Sequence, residues 1–350
     1  MSLIYIGAFP PEWGGVTVKN QDLYYELMRR GKPIHKIDLN RIKRIRSSGR
    51  KASKLSALKE AWRLAKALLS RDHQLIVGIS AASRRSFTRL LYHINPKIMG
   101  RSIMILMGGM AAEELANDPD YRHCMSRFKQ VYVETGSMYR QLKACGMHNV
   151  SVYPNCRRRP EEMPGPAEKR PSACGRLLCV FFSSVQKAKG VDLILESASE
   201  LSDVDFSFYG PVDNAYRDEF HQKVSRLENC TYKGVFKGKD ADKYRELAGY
   251  DVLLLPTRWI TEGVPGILVE AKIAGLASIV SNVSFNSEII KNGIEGIVLP
   301  HNNTESLTRA ITSLRDDRFL LEEQKRESAQ SADYYYLEPY VDKILEMLRV

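Results

Sequence analysis

The stretch DVLLLPTRWITEGVPGILVEAKIAGLASIVSN, residues 251–282, determines the fold class that we predict for this chain. It starts with the apolar run of a buried strand, passes through the loop RWITEGV, and enters a helix at Pro265-Gly266 that ends near Gly275. Proline suits the first position of a helix, because its fixed φ is already helical and no needed N–H is lost. A second apolar run, ASIVSN, follows the helix. This order of strand, helix and strand predicts a parallel βα unit.

Short apolar runs alternate with helical patterns along the rest of the chain as well. The predicted strands are residues 2–7, 33–39, 74–80, 102–107 and 129–135 in the first half, and 177–184, 204–210, 230–236, 251–257, 277–282 and 295–300 in the second. Residues 156–175 are rich in proline, glycine and charge, which is typical of a linker. The pattern predicts an α/β protein with two doubly wound parallel-sheet domains, residues 1–155 and 176–334.

The composition is that of a globular protein, with 44% hydrophobic and 27% charged residues in a chain of 350. No apolar run is long enough to span a membrane. Residues 1–15 lack the basic and apolar regions of a signal peptide. The six cysteines form no C-x-x-C pair, and we expect them to be free thiols in a reducing cytoplasm.

Positive charge is concentrated in the first half of the chain. Residues 1–150 hold 26 Lys and Arg against 11 Asp and Glu, a net charge of +15, whereas residues 151–350 carry a net charge of −4. Residues 41–71 alone contain eleven basic residues and one acid, Glu60. This half is expected to meet an anionic partner: a membrane surface, a phosphorylated substrate or nucleic acid.

The basic segment admits two compatible interpretations. In one, residues 41–71 form a membrane-surface helix whose bases meet anionic lipid. In the other, a helix of the domain packs Leu58, Trp62 and Leu69 on the sheet while its bases remain solvated. Nucleic acid is not expected to be the partner, because aromatic residues are not interleaved with the bases and no recognition motif is present.

Two carboxylates, Glu262 and Glu270, flank the start of the helix at Pro265-Gly266. A helix N-terminus at the carboxyl end of a parallel strand is a common ligand site, and its free N–H groups suit a phosphate. Glu262 can accept hydrogen bonds from hydroxyls on whatever carries that phosphate, and Glu270 can be reached by a nucleoside hydroxyl. This arrangement suits a sugar joined to a nucleotide diphosphate. The alternative is that Glu262 is a loop acid without a task and Glu270 a solvated helix residue.

The block EGVPGILVEAKIAG resembles the Glu-x7-Glu motif of retaining nucleotide-sugar glycosyltransferases of glycosyltransferase family 4, or glycosyl transferases group 1. FPPEWGGV (9–16) is similar to the family's glycine loop, VSVYPN to its interdomain hinge, KAKGVDLILESASEL to its Lys-Gly-Val segment, and SEIIKNGIEGIVLP to the stretch that closes the sugar pocket. The resemblance implies the GT-B fold, in which two Rossmann-like domains face each other across a cleft. It also implies that a C-terminal helix at 335–350 packs back on the first domain.

The resemblance implies two catalytic residues: Lys189 supplies a cation to the departing phosphate, and Glu262 holds the donor sugar hydroxyls. Glu270 would bind the ribose, and Gly14 and Gly15 would let the backbone approach the diphosphate. The donor-binding positions are Gly14, Gly15, Ser184, Lys187, Gly210, Gly263, Val264, Pro265, Gly266, Ile267, Leu268 and Glu270.

The chain departs from the family pattern at two places. The family usually has Arg five residues before the lysine, where this chain has Ser184, and Lys187 is a candidate to replace it. It usually has His after the fourth strand, where this chain has Met107-Gly108-Gly109. Both departures leave room for a weak or altered enzyme.

No metal site is expected. Three Asp-x-Asp triplets occur, at 118–120, 203–205 and 240–242. None follows a predicted strand, which is where a metal-dependent glycosyltransferase of the other large fold places such a pair to bind a nucleotide-bound cation. The seven histidines are scattered and show no metal-ligand spacing.

The predicted function is hexosyl transfer, with retention of configuration, from a nucleotide diphosphate sugar such as a UDP- or GDP-sugar to a glycan or lipid-linked acceptor. The expected setting is cell-envelope polysaccharide or glycolipid synthesis, without cofactor or metal, in the cytoplasm or peripherally on the inner face of the membrane. The alternatives are a GT-B epimerase or phosphorylase, or a catalytically silent relative that acts as a membrane-associated assembly partner.

Overall fold

The computed structural model describes residues 2–11, 14–47, 51–161 and 175–348, with side chains described except at 43, 45–47, 51–57 and 240. Glu12 and Trp13 of the predicted glycine loop, residues 48–50 of the basic segment and residues 162–174 of the predicted linker lie outside the described residues. The chain divides into two compact units, Met1–Arg158 with Tyr336–Val350, and Arg159–Tyr335.

The first unit is built on a six-stranded parallel sheet. Its strands are β1 (Ser2–Gly7), β2 (Ile34–Asp38), β3 (His73–Gly78), β4 (Ile103–Ile105), β5 (Gln130–Val133) and β6 (Val150–Val152). Their spatial order is β2-β1-β3-β4-β5-β6, and every neighbouring pair is parallel. The chain runs outward from β1 to β2 and then returns to the other side of β1, so that the strand order reverses between β1 and β3. Ligands bind at such switch points in open α/β sheets.

Nine helices belong to the described part of this unit: α1 (Gly15–Arg29), α2 (Leu39–Ser47), α3 (Lys51–Leu69), α4 (Ala81–Ile94), α5 (Pro96–Met99), α6 (Ala111–Asn117), α7 (Pro119–Met125), α8 (Gly136–Ala144) and, from the C-terminus of the chain, α16 (Glu338–Leu348). Helix α16 joins the core of this unit, because Val341 and Ile344 are buried in one cluster with Leu23 and Leu27 of α1.

The second unit also contains a six-stranded parallel sheet. Its strands are β7 (Leu177–Phe182), β8 (Val204–Tyr209), β9 (Cys230–Gly234), β10 (Val252–Leu255), β11 (Ala277–Ser281) and β12 (Gly296–Leu299). The order β12-β11-β10-β7-β8-β9 reverses between β7 and β10, and all neighbours are parallel. The prediction of two doubly wound parallel sheets is therefore confirmed.

The helices of the second unit are α9 (Val191–Glu200), α10 (Arg217–Val224), α11 (Asp240–Leu247), α12 (Gly266–Ala274), α13 (Asn286–Ile289), α14 (Thr304–Asp316) and α15 (Arg318–Ser331), with short 3-10 turns at Lys187–Lys189 and Ala332–Tyr335. Helix α12 is buried around its whole circumference except at Gly266, because it packs against β11, α11 and α15. This explains why the quoted stretch is apolar without helical periodicity.

Two expectations from the sequence are corrected. Pro265 is the N-cap of α12 rather than its first residue, since its ψ of 118° is extended and the helix begins at Gly266.

The apolar stripe of α3 does not pack on the sheet. Leu58, Trp62 and Leu69 are 68%, 63% and 63% exposed, and the helix instead buries the face that carries Glu60, Ala67 and Leu68. In the part of the chain that the structure describes, no helix has the length and apolar character needed to cross a membrane.

Candidate functional site

The residues predicted to act on the donor lie at the switch point of the second sheet. Strands β7 and β10 are neighbours there, and both run into loops at the same edge. The loop after β7 leads into the turn Lys187–Lys189 and α9, and the loop after β10 carries Glu262 and leads into α12. Because both loops leave parallel strands at their carboxyl ends, the fold brings Lys189 and Glu262 together although they are 73 residues apart.

The ammonium of Lys189 forms an ion pair with Oε1 of Glu262. Lys189 is buried, whereas Glu262 is partly exposed. The hydroxyl of Thr257 lies 3.4 Å from the other carboxylate oxygen, Oε2. The ammonium of Lys189 also lies over the ring of Trp259, 5.3 Å from its centroid. The two predicted catalytic residues are therefore in direct contact. Thr257 contacts the carboxylate of the pair, and Trp259 contacts the ammonium.

A glycine allows the two loops to approach so closely. Gly190, which follows Lys189, has a φ of +75°, and a Cβ at this position would lie 2.1 Å from the carbonyl oxygen of Pro256. Any side chain would push the lysine turn away from the loop after β10. The close approach of the two loops therefore requires glycine at position 190, within the Lys-Gly-Val segment.

Arg258 fastens the two loops to each other. Its Nη1 lies 2.8 and 3.0 Å from the two carboxylate oxygens of Asp192 on α9 and donates to the carbonyl oxygen of Lys187 at 3.0 Å. Its backbone N–H donates to the carbonyl oxygen of Ala188 at 2.8 Å. These bonds span the lysine turn on both sides of Lys189, so Arg258 and Asp192 determine where the ammonium lies relative to Glu262.

A third loop supports Glu262 from β11. Ser284 has a φ of 54°, which only glycine adopts readily, and its hydroxyl donates to the backbone carbonyl of Glu262. Non-glycine residues in this conformation often occur at functional sites. Ser281, at the end of β11, and Asn302 both donate to the carbonyl oxygen of Thr257, at 2.6 and 2.9 Å. The loop after β10 is therefore held from two sides.

Helix α12 starts four residues after Glu262, and Gly263, Val264 and the N-cap Pro265 form the connection. In the described residues no side chain caps its N-terminus. Its first N–H groups, at Gly266 and Ile267, and the positive end of its dipole thus lie beside the acid loop. Leu268 donates its N–H to the carbonyl oxygen of Pro265 at 3.1 Å, which closes the first turn.

Glu270 lies one turn into α12 and is buried, so it is not the solvated residue of the alternative interpretation. Its Oε1 is 3.0 Å from the ammonium of Lys243 on α11. A buried carboxylate needs such a partner, because desolvation otherwise disfavours the charged form. The sequence did not predict that Lys243 pairs with Glu270, because the sequence of α11 is that of an ordinary polar helix.

The remaining donor-side positions lie at the same edge of the sheet. Ser184 accepts a hydrogen bond from Gln186 at 2.9 Å. Lys187 is on the lysine turn, but its ammonium is paired with Glu219 at 2.7 Å and lies 5.3 Å from the centroid of the Tyr216 ring. Gly210 follows β8 with a φ of +131°, and a Cβ there would lie 1.8 Å from the carbonyl oxygen of Ser183. Glycine at 210 is therefore required by the packing of the loop.

Gly14 and Gly15 lie in the first unit, at the switch point of its sheet. Gly14 is the N-cap of α1, and its carbonyl oxygen accepts from the Thr17 hydroxyl and the Val18 N–H, each at 3.0 Å. Neither glycine has a positive φ, and a Cβ at either position would meet no atom of the described chain within 4 Å. The described part of the fold therefore does not itself require glycine at either position.

The loop that has Met107 in place of the family's histidine is held by buried charge. Arg84 is fully buried and donates to the carbonyl oxygen of Met107 at 2.9 Å. The N–H of Gly108 lies 3.3 Å from a carboxylate oxygen of Glu134, which is paired with Lys19 at 3.0 Å. These charges position the carboxyl ends of β4 and β5 in the first unit.

Within the described residues, no group of three or more His, Cys, Asp or Glu side chains is arranged to hold a metal ion. Asp118 caps α7 by accepting from the Tyr121 N–H at 3.0 Å, and Asp203 precedes β8. The residues of the third triplet, 240–242, lie in the first turn of α11.

Known proteins resemble the chain in sequence. Residues 176–317 match the family described as Glycosyl transferases group 1. A UDP-Gal:alpha-D-GlcNAc-diphosphoundecaprenol alpha-1,3-galactosyltransferase of Escherichia coli is 32% identical over 101 residues, which cover 29% of this chain and 26% of that protein. An uncharacterized 41.2 kDa protein in the cps region of Klebsiella pneumoniae is 28% identical over 134 residues, 38% of this chain and 36% of that protein. The alignments thus span about a quarter and a third of these relatives.

Solved structures resemble the chain over its whole length. HepE of Anabaena in complex with UDP superposes with a TM-score of 0.74 and 14% identity, covering 100% of both chains. The same protein in complex with UDP-glucose gives a TM-score of 0.73. At this identity the likeness concerns the fold alone. Together with the two reversed parallel sheets, it shows that the chain has the GT-B fold. Residues 176–317 are similar in sequence to the Glycosyl transferases group 1 family.

Proposed function

We propose that this chain is a glycosyltransferase that moves a sugar from a nucleotide diphosphate donor to a glycan or lipid-linked acceptor. The observation that carries the proposal is the contact between Lys189 and Glu262 at the switch point of the second sheet, directly before the N-terminus of α12. A cation and a set of helix N–H groups suit a diphosphate, and the neighbouring carboxylate suits sugar hydroxyls. The family match at residues 176–317 supports the same conclusion.

Each group has a distinct task in this proposal. The ammonium of Lys189 and the N–H groups of Gly266 and Ile267 bind the diphosphate, while Glu262 accepts hydrogen bonds from the sugar. Glu270 accepts from the ribose hydroxyls. The remaining donor contacts come from the backbone of residues 263–268 and from the loops at 184–187 and 210.

The transfer step is proposed to retain the anomeric configuration. The bond between the anomeric carbon and the diphosphate oxygen breaks, and the electron pair leaves with the diphosphate. The acceptor hydroxyl oxygen bonds to the same face of that carbon, and its proton passes to the departing phosphate oxygen. No protein nucleophile is needed. The protein's contribution is to stabilise the negative charge that develops on the leaving group, through Lys189 and the dipole of α12. The account needs no divalent metal.

Cell-envelope glycan synthesis is the setting that we propose. The support comes from the relatives, of which one uses a diphosphoundecaprenol acceptor and another comes from a cps region. A lipid-linked acceptor also fits the net charge of +15 in residues 1–150, which would favour peripheral contact with an anionic membrane. The chain would then act on the cytoplasmic face.

A screen of nucleotide sugars by thermal shift tests the donor, because a bound ligand raises the unfolding midpoint by mass action. The best donor is then incubated with diphosphopolyprenol-linked acceptors, and transfer is followed by mass spectrometry. Product with the donor's anomeric configuration is the expected result. Donor binding without transfer to any acceptor would favour the silent relative, and epimerised or phosphorolysed sugar would favour the other enzyme classes. A chain that binds no nucleotide sugar would contradict the proposal.

A further inference from the structure

Helix α3 presents an apolar face to solvent. Leu58, Trp62 and Leu69 lie along one line of the helix, since their spacing of four and seven residues returns to the same side. Ala65, on the same line, is also exposed. The helix does not need this face for its own stability, because Glu60, Ala67 and Leu68 bury the opposite side against the first unit. A large exposed apolar face of this kind marks an interaction site.

Basic side chains flank the apolar line on one side. Lys59, Arg63 and Lys66 are each exposed and each follows a member of the line by one residue. The ammonium of Lys66 lies 5.4 Å from the centroid of the Trp62 ring. Glu60, which is the acid of this segment, is paired with Arg63 at 3.1 Å and with Arg41 at 3.5 Å. The face is thus apolar along its centre and cationic along its border.

The neighbouring helix α4 also exposes apolar side chains. Leu90 and Ile94 of α4 are exposed one turn apart. Asn95, at the end of α4, donates to the carbonyl oxygens of Leu68 and Ser70 at 2.8 and 3.1 Å, so the ends of α3 and α4 are tied together.

We propose that the face formed by Leu58, Trp62, Leu69 and the bases beside them inserts into the interfacial region of an anionic lipid bilayer. Helices that lie on membranes combine an apolar face that includes Trp or Leu with a border rich in Lys and Arg, as α3 does. The bases attract anionic headgroups and the apolar side chains enter the boundary of the acyl chains. This inference deepens the membrane contact of the proposed function, but it does not depend on sugar transfer.

Charge argues against a second copy of the chain as the occupant. Residues 41–71 contain eleven bases and one acid, and a two-fold interface would bring this segment against itself. Like charges in such an interface repel each other. Nucleic acid would satisfy the bases, but it offers no apolar environment for Leu58 and Leu69.

The test is sedimentation of the full chain with vesicles of phosphatidylglycerol and phosphatidylcholine, without donor or acceptor, so that its outcome is independent of catalysis. Leu58→Ser, Trp62→Ser and Leu69→Ser are combined in one variant. The matched control is Phe319→Ser, because Phe319 is 75% exposed on α15 of the second unit. The triple variant should lose about tenfold or more in partitioning, whereas the control should bind like the wild type. High salt should weaken the binding of all proteins.

A second measurement reports on insertion itself. Tryptophan fluorescence of the wild type should be quenched by brominated lipid, and the part of the quenching that is lost in Trp62→Phe is assigned to Trp62. Strong quenching of Trp62 supports the proposal. Wild-type partitioning of the triple variant, or a Trp62 that brominated lipid does not quench, would overturn it and leave a purely electrostatic contact. A wild-type dimer in analytical ultracentrifugation that the triple variant abolishes would likewise overturn it, in favour of a second copy.

Discussion

Lys189 and Glu262 form an ion pair in which only 6% and 19% of the two side chains are exposed. They come from different loops, which meet because β7 and β10 are neighbours at the switch point of the second sheet. A lysine ammonium has three N–H donors, so a diphosphate that binds Lys189 shares it with the carboxylate of Glu262. The pair therefore links donor binding to the residue that is proposed to hold the sugar.

Glu262→Gln should separate binding from turnover. Removal of the negative charge leaves Lys189 free to attract the diphosphate, so the affinity for the nucleoside diphosphate should not fall. The rate constant kcat should fall about a hundredfold, which is the usual effect of losing one polar contact to the developing charge. Calorimetry gives the affinity and initial rates give kcat. The control is Glu305→Gln on the surface of α14, and turnover at the wild-type rate in Glu262→Gln would remove Glu262 from the mechanism.

Gly15→Ala should lower activity without lowering stability. A Cβ at Gly15 meets no described atom within 4 Å, and alanine is a better helix residue than glycine by about 1 kcal/mol. If ligand approaches this loop, the methyl group obstructs it and kcat/KM falls. The contrast is Gly210→Ala, which should destabilise the protein because its Cβ would meet the carbonyl oxygen of Ser183. Full activity in Gly15→Ala would place the glycine loop outside the site.

Arg258→Gln and Asp192→Asn should each lower kcat about tenfold, because they loosen the position of Lys189 without touching the reacting atoms. The two effects should not add, since both variants break the same ion pair. Initial rates in a double-mutant cycle test this. The control is the exposed pair of Arg309 and Glu305, whose loss should leave kcat unchanged. Additive losses at Arg258 and Asp192 would show that they act independently.

Lys272→Met should destabilise the second unit. Lys272 lies within α12, fully buried, and pairs with the buried Glu295 at 2.7 Å. Burial lowers the pKa of Lys272, and the hydrogen bond to Glu295 opposes this shift. Without the ammonium, Glu295 is left as a buried charge, at a cost of about 3 kcal/mol.

Lys272→Met with Glu295→Gln should recover part of that loss, because no charge then remains buried. Lys291→Met is the matched control: this exposed lysine lies 3.6 Å from the same carboxylate, and its loss should cost less than about 1 kcal/mol. Urea unfolding followed by circular dichroism compares the variants. A single Lys272 variant as stable as the Lys291 control would show that the pair is dispensable.

The sequence predicted the strands of the two sheets well, but it predicted the carboxyl ends of these strands less well. Apolar runs located eleven of the twelve strands, since a parallel strand buried on both faces is largely apolar. The remaining strand, β6, was indicated only by the resemblance of VSVYPN to the interdomain hinge. The predicted strands 251–257 and 177–184 were too long at their carboxyl ends, where Pro256, Thr257, Ser183 and Ser184 leave the sheet to form the site loops. The end of a parallel strand depends on its hydrogen bonds to the neighbouring strands, which a local apolar pattern does not show.

The contacts that position the site could not be predicted from the sequence. Arg258 and Asp192 are 66 residues apart, and their ion pair exists only because β7 and β10 are adjacent. Helical periodicity also led to a wrong prediction for α3, namely that its apolar face packs on the sheet. It showed that Leu58, Trp62 and Leu69 share a face, but the period of a helix does not reveal what covers that face, and here it is solvent.

The measurement that tests the central claim most directly is calorimetric titration of UDP and GDP into the wild type and Lys189→Met, both in EDTA. The account places the diphosphate on Lys189 and the N-terminus of α12, without a metal. The wild type should therefore bind one of the nucleotides in chelator, and Lys189→Met should bind it about tenfold or more weakly, as expected for the loss of a charged hydrogen bond. Lys233→Met, an exposed lysine on β9, should bind like the wild type. Equal affinity in Lys189→Met, or binding that appears only when Mg²⁺ or Mn²⁺ is restored, would contradict the account.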